Sequence, residues 1–137
     1  MKKRSGVLKY LLYIFVLLLI AGCGQAIESN AGETGIFHPG TYKEKTEGYK
    51  GPIKVSVTVD ENTIKEVNII EHRETEAITD DALEQIPHAI VERQSISVDT
   101  VAGATYTSRA IIGAVKEALL AAGASLDDIT KSVDNEY

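Results

Sequence analysis

The chain has 137 residues, with 14 Lys and Arg against 20 Asp and Glu and a formal charge of −6 at pH 7. That length is room for one domain, and an acidic surface of this kind repels polyanions, which argues against a nucleic-acid role. The single Cys can form no internal disulfide.

Residues 1–22 read as a secretory signal. Lys2, Lys3 and Arg4 open it, an apolar stretch runs from Val7 to Ile20, and small residues lead to Cys23. Lys9 leaves the apolar run short of the roughly 20 residues that a transmembrane helix needs. Ile20-Ala21-Gly22-Cys23 resembles a bacterial lipobox, in which signal peptidase cuts before the Cys and the Cys thiol carries a diacylglycerol. The alternative is an ordinary secreted protein with a free thiol. Several acyl chains on Cys23 give stable anchoring, so the expectation is an extracytoplasmic protein tethered to a bacterial membrane. Four of the 14 basic residues and none of the acids lie in residues 1–22, so cleavage leaves 10 basic against 20 acidic residues, a charge of −10.

Residues 23–36 are small and polar and read as a flexible linker, which places the folded domain at 37–123. His38-Pro39-Gly40 is a turn, Thr41-Tyr42-Lys43 a short first strand, and Glu47 to Pro52 a second turn. Ile53, Val55, Val57 and Val59 alternate with polar residues, and Ile64 to Ile70 returns after Asp60-Glu61-Asn62. This predicts a β-hairpin over about 53–70. His72 to Thr79 shows no periodicity and reads as a loop. From Asp80 a helical pattern places Leu83, Ile86 and Ile90 on one face, with Pro87 expected to break it into two short helices. Gln94 to Val101 reads as extended. A last helix is predicted over about 108–122, with Ile111, Ala114, Val115, Ala118, Leu119 and Ala122 inward, Thr107 or Ser108 as N-cap and Gly123 as its stop. Residues 124–137 form an acidic tail, with one more helical turn or disorder as the alternatives. The expected fold is α+β, a twisted antiparallel sheet packed with helices.

The run from Val98 to Ser108 carries the strongest chemical signal. Gly103-Ala104-Thr105 puts a flexible backbone and a hydroxyl just before a helix N-terminus, where unpaired N–H groups and the helix dipole favour a phosphate. On spacing alone, a strand-to-helix turn with hydroxyl caps is an equal reading. No G-K-[ST] and no G-x-G-x-x-G follows, so nucleotide folds of those kinds are disfavoured.

Asp99-Thr100-Val101-Ala102-Gly103-Ala104-Thr105, followed by Tyr106-Thr107-Ser108, resembles the flavinylation motif of the FMN-binding domain family. Such domains occur in subunits of sodium-pumping quinone reductases and Rnf complexes and in extracytoplasmic flavoproteins. The similarity runs from about Gly40 to Leu120 and includes G-Y-K-G-P-I-K-V-S-V. It implies FMN attached covalently, through its phosphate, to the oxygen of Thr105, by a separate flavin transferase that uses FAD as donor and a Mg²⁺ ion. Gly103 and Ala104 would bring the backbone close, and Tyr106, Thr107 and Ser108 would open the helix beneath the phosphate. Asp99 is expected to be read by the transferase or to cap the turn, since an acid beside a phosphate repels it. Ala102 stands where the family usually has Ser or Thr, which removes one hydrogen bond and keeps the acceptor.

His72-Arg73-Glu74-Thr75 resembles the family's loop near the flavin, with Glu76-Ala77 in place of the usual Pro-Gly. Glu74 and Thr75 are thus candidates for the isoalloxazine edge, a solvated loop being the other reading. Tyr106 is a candidate to stack on the ring or to pack, and Tyr49 is equally ambiguous. His38, His72 and His88 have no metal-ligand spacing, so no metal site is expected, and no C-x-x-C-H supports haem. The expected function is an extracytoplasmic, lipid-anchored electron carrier with covalent FMN, partnered by the transferase and by a redox protein or quinone-linked dehydrogenase. The alternative is a non-redox lipoprotein that binds FMN or another ligand noncovalently, or binds only a partner protein.

Overall fold

The computed structural model describes residues 35–131. The predicted signal segment, Cys23, most of the linker and residues 132–137 lie outside them. Three strands, β1 (Gly40–Glu47), β2 (Pro52–Val59) and β3 (Ile64–Glu71), form one antiparallel sheet in the order β1-β2-β3. Three helices follow among the described residues, α1 (Asp80–Arg93), α2 (Thr105–Ala121) and α3 (Leu126–Thr130). The fold is α+β. No helix among the described residues is long and apolar enough to cross a membrane.

The hairpin follows from the alternation in β2. Ile53, Val55 and Val57 are wholly buried and Val59 nearly so, while Lys54, Ser56 and Thr58 stay half-exposed. β3 pairs with it through two register shifts, at Thr58/Val59 and Lys54/Val55, which leave Lys65 and Ile70 as extra residues. The first of these bulges turns both Ile64 and Val67 inward, although they are three apart. The tight turn is held by Asp60, whose Oδ1 accepts the N–H groups of Asn62 and Thr63 and the Thr63 hydroxyl. Lys65 Nζ lies 2.7 Å from its other oxygen. That ammonium, and then the three donors, hold the Asp60 carboxyl far below the usual carboxylate range.

β1 is longer than the Thr41–Lys43 segment expected. All eight of its residues pair with β2, from Gly40 opposite Val59 to Glu47 opposite Pro52. Its inward positions, Tyr42, Glu44 and Thr46, are only half-buried, so the strand lacks an apolar stripe and its length comes from pairing.

Helices α1 and α2 pack on the buried face, α2 against β1 and β2, α1 against β3, and each against the other. All six residues predicted to face inward on the last helix, from Ile111 to Ala122, are wholly buried. Gly113 lies over Thr46, whose Oγ1 donates to the Ala110 carbonyl at 2.5 Å. Gly123 closes the helix at φ +100, and a Cβ there would strike the His38 ring. It fits the left-handed stop expected of it.

Two expectations are corrected. Pro87 does not split its segment, since α1 runs unbroken over 14 residues from Asp80 to Arg93. The proline ring is buried along with Ile86 and Ile90, and that burial offsets the N–H it cannot donate. The last helix also starts earlier than 108. Thr105 is its first residue and Ala104 its N-cap, so Thr107 and Ser108 lie inside the helix and cap nothing.

The extended segment after α1 joins no sheet. Ile96 N–H and Ser95 Oγ donate to the Ile129 carbonyl at 2.8 and 3.0 Å, and Ser97 Oγ donates to Thr130 O at 2.8 Å. These bonds seat α3, which opens on a capping box between Ser125 and Asp128 and buries Ile129.

Candidate functional site

The start of α2 is built as an open anion cradle. Gly103 takes φ +83, a left-handed conformation that a residue with a Cβ rarely adopts. A Cβ there would meet nothing, so this glycine serves the backbone path rather than space. Ala104, the N-cap, has no side-chain oxygen, and no side chain among the described residues caps the helix. The first N–H to find a partner is that of Ser108, which donates to the Ala104 carbonyl at 2.8 Å. The N–H groups of Thr105, Tyr106 and Thr107 are left open at the positive end of the dipole. The first turn of α2 holds no acid, whereas α1 begins with Asp80 and Asp81 and α3 with Asp127 and Asp128. Open donors, no capping side chain and no nearby acid on the helix are what a phosphate needs.

In front of this helix end lies a hollow of about 280 Å³. Gly103, Ala104, Thr105, Tyr106 and Thr107 form one wall, Thr75, Ile78 and Thr79 from the loop after β3 another, and Tyr49 from the β1–β2 turn the third. Three distant stretches of sequence therefore meet at one place. Tyr49 and Tyr106 have ring centroids 6.1 Å apart, inclined at 40°, and Lys50 Nζ lies 5.5 Å from the Tyr49 centroid.

Three aliphatic hydroxyls follow Gly103, and they differ in availability. Ser108 is wholly buried, with Oγ donating to Ala104 O at 2.8 Å and accepting from Val101 N at 3.0 Å. Thr107 is 1% exposed and its hydroxyl donates to the Glu74 carboxylate. Thr105 is half-exposed and makes no side-chain hydrogen bond among the described residues.

The hollow thus gathers Thr75, Gly103, Ala104, Thr105, Tyr106 and Thr107 from the sequence-predicted set, and Tyr49 joins them. Glu74 and Ser108 do not line it. Glu74 is 6% exposed, so neither the edge-contact nor the solvated-loop reading describes it. Its Oε1 accepts Lys50 N–H at 3.0 Å, and Oε2 accepts the Thr107 hydroxyl. Asp99 lies elsewhere, in a second cleft with Ala102, Thr100 and the Gln85–Arg93 side of α1. It is exposed and has no hydrogen bond or ion pair among the described residues. Sequence reasoning missed Ile78 and Thr79; a lone apolar residue in a polar, aperiodic loop, as Ile78 is, was the available signal. No group of three or more His, Cys, Asp or Glu placed to hold a metal ion occurs among the described residues.

Known proteins match this region. Over 87 residues the chain is 32% identical to a Vibrio harveyi protein named NADH:acrylate oxidoreductase, covering 64% of this chain and 9% of that protein. It is 31% identical over 108 residues to a urocanate reductase of Eggerthella lenta, 77% of this chain and 18% of the relative. An uncharacterized protein of Treponema pallidum is 36% identical over 80 residues, 58% and 22% respectively. The chain thus spans less than a quarter of the length of each of these relatives. The FMN-binding domain model matches residues 48–120, more than half of the chain and all three walls of the hollow. The chain belongs to the FMN-binding domain family.

Proposed function

We propose that the protein is an extracytoplasmic, lipid-anchored electron carrier that holds FMN through a phosphoester to Thr105. The observation that carries this reading is the division of labour among the three hydroxyls. Thr107 and Ser108 are buried and committed to internal bonds, while Thr105 faces the hollow unbonded beside open helix N–H groups. An ester at Thr105 would set the phosphate charge against those donors, and Tyr49, Tyr106 and Ile78 would hold the ring. When bound, the flavin supplies one- and two-electron transfer, and the protein supplies position and electrostatics. The hollow, at about 280 Å³, lies just under the range of small-molecule pockets, so a flavin ring leaves little room for a separate substrate. That favours a carrier over a stand-alone enzyme. In the two named reductases the matched stretch is a minor part of a much longer chain, as suits a module that passes electrons to a catalytic unit. Asp99, exposed and unbonded on the far side of the motif, is available for a flavin transferase to read. Lipobox cleavage at Cys23 would fix the carrier to the outer face of a membrane.

Coproduction of the full chain with a flavin transferase tests this. The expected product is yellow and keeps the mass of FMN less water through acid denaturation. Colourless protein under those conditions, with a known substrate of the transferase labelled in parallel, overturns the reading.

A further inference from the structure

Glu74 is a buried carboxylate with no direct part in the site, yet it ties three of its segments together. Oε1 takes Lys50 N–H at 3.0 Å from the β1–β2 turn, and Oε2 takes the Thr107 hydroxyl from the first turn of α2. The fit is close enough that a Cβ at Gly48 would strike Glu74 Oε1 and the Ile53 side chain. The turn is closed by Gly48 N–H donating to Gly51 O at 2.8 Å, and Tyr49 stands at its tip.

Tyr49 itself is 67% exposed and makes no side-chain hydrogen bond among the described residues, so burial does not fix its ring. Its neighbours are alike. The three most exposed large apolar side chains among the described residues are Tyr106, Tyr49 and Ile78, at 71%, 67% and 62%, and all three line the one hollow beside Thr105. A cluster of this kind marks a surface meant to be covered, and a planar ring fits between inclined aromatic faces.

We propose that Glu74 is the positioning residue that holds Tyr49 over the flavin ring, so that its loss uncovers the ring without detaching it. This rests on the reading of Thr105 as the tether. Glu74 acts through the Lys50 amide on one side and the Thr107 hydroxyl on the other, and it fixes the distance between the Tyr49 turn and the helix that carries the tether.

The test uses the full chain loaded by the transferase, with flavin occupancy read by mass and fluorescence read per flavin, because a tyrosine stacked on a flavin quenches it. The wild type is expected to be dim. Tyr49→Ala should brighten it severalfold at unchanged occupancy, and Glu74→Ala should brighten it to a similar degree. The double variant should be no brighter than either single one, since both remove the same contact. Glu74→Gln, which still accepts from Lys50 N–H, should stay dim. Should Glu74→Ala not fold, Glu74→Asp takes its place: it keeps the charge but falls a methylene short of spanning Lys50 and Thr107, and should brighten as well. A folded Glu74→Ala or Glu74→Asp that stays as dim as the wild type, a Tyr49→Ala protein that does not brighten, or effects at the two positions that add would each overturn the proposal. Wild-type protein without attached flavin overturns the Thr105 reading and this one with it; full occupancy with fluorescence indifferent to Glu74 overturns this one alone.

Discussion

The Thr107 hydroxyl donates to the buried carboxylate of Glu74, and this leaves Thr105 as the one threonine hydroxyl of the helix start that makes no internal bond among the described residues. Two threonines a single residue apart thereby have opposite roles, one internal and one open. Their variants should separate accordingly. Thr105→Val is expected to abolish covalent flavin while leaving the fold intact, because its side chain bonds to nothing internal. Thr107→Val is expected to keep flavin at Thr105 and to lower stability by about 1–3 kcal/mol, the cost of leaving a buried acceptor without a donor. Mass spectrometry after acid denaturation and urea unfolding check the two halves. Flavin retained in Thr105→Val and lost in Thr107→Val would reverse the assignment.

Ala77 sits at φ +66, in the left-handed region, within the loop that brings Thr75 and Ile78 to the hollow. Its N–H donates to Asp80 Oδ2 at 3.0 Å, which fixes the conformation. A residue with a Cβ loses about 1–2 kcal/mol there, while glycine's extra freedom in the unfolded chain costs about 0.5–1 kcal/mol. Ala77→Gly should therefore stabilise the protein by about 0.5–1 kcal/mol. The urea midpoint should rise with an unchanged m-value; a fall would show that the loop tolerates alanine without strain.

Ala77 also shows where the sequence was informative and where it was not. The replacement of the family's Pro-Gly by Glu76-Ala77 was visible, but not that the second position is a left-handed residue. Elements with strong periodicity are legible, the alternating β2 and the inward residues from Ile111 to Ala122 above all. The pattern understates the length of β1 because its inward positions are Tyr42, Glu44 and Thr46, which carry no apolar stripe. Capping rules favour a Ser or Thr cap and so set the helix start too late, because the N-cap of α2 is Ala104. Gly103, Ala104 and Thr105 were found by local pattern. The partners of Glu74 were not, since Lys50 and Thr107 stand 24 and 33 residues away from it. No spacing rule reaches across such gaps.

Gln94 is a second left-handed residue, at φ +53, and its side chain does the work of an absent strand. Oε1 accepts Ile64 N–H at 2.7 Å, while Nε2 donates to Ile64 O at 2.9 Å and to Val91 O at 2.6 Å. One amide thus pairs the start of β3 and closes the end of α1. Gln94→Ala should cost about 2–3 kcal/mol, from three bonds at roughly 1 kcal/mol each. Gln94→Gly loses the same bonds but relieves the backbone, so it should cost about 1 kcal/mol less. Equal losses in urea unfolding would mean that the backbone at this position carries no strain.

Acid sensitivity should be concentrated at Asp60. Its carboxyl is held far below the usual range, first by Lys65 and then by Thr63 and Asn62. A group with a depressed folded pKa contributes stability above its unfolded pKa, near 4, and loses it as pH falls toward the folded value. The melting temperature should therefore drop steadily as pH is lowered from about 5 to 2. Glu71, beside Lys54, and Asp128, beside the Ser125 hydroxyl, are depressed in the same direction and add to the slope. Asp60→Asn keeps an oxygen for the turn donors and removes the charge, so it should flatten the acid limb more than Asp128→Asn does. Lys65→Met should reproduce much of that flattening, because the ammonium is the largest cause of the shift. An acid limb as steep in Asp60→Asn as in the wild type would place the sensitive carboxylate elsewhere.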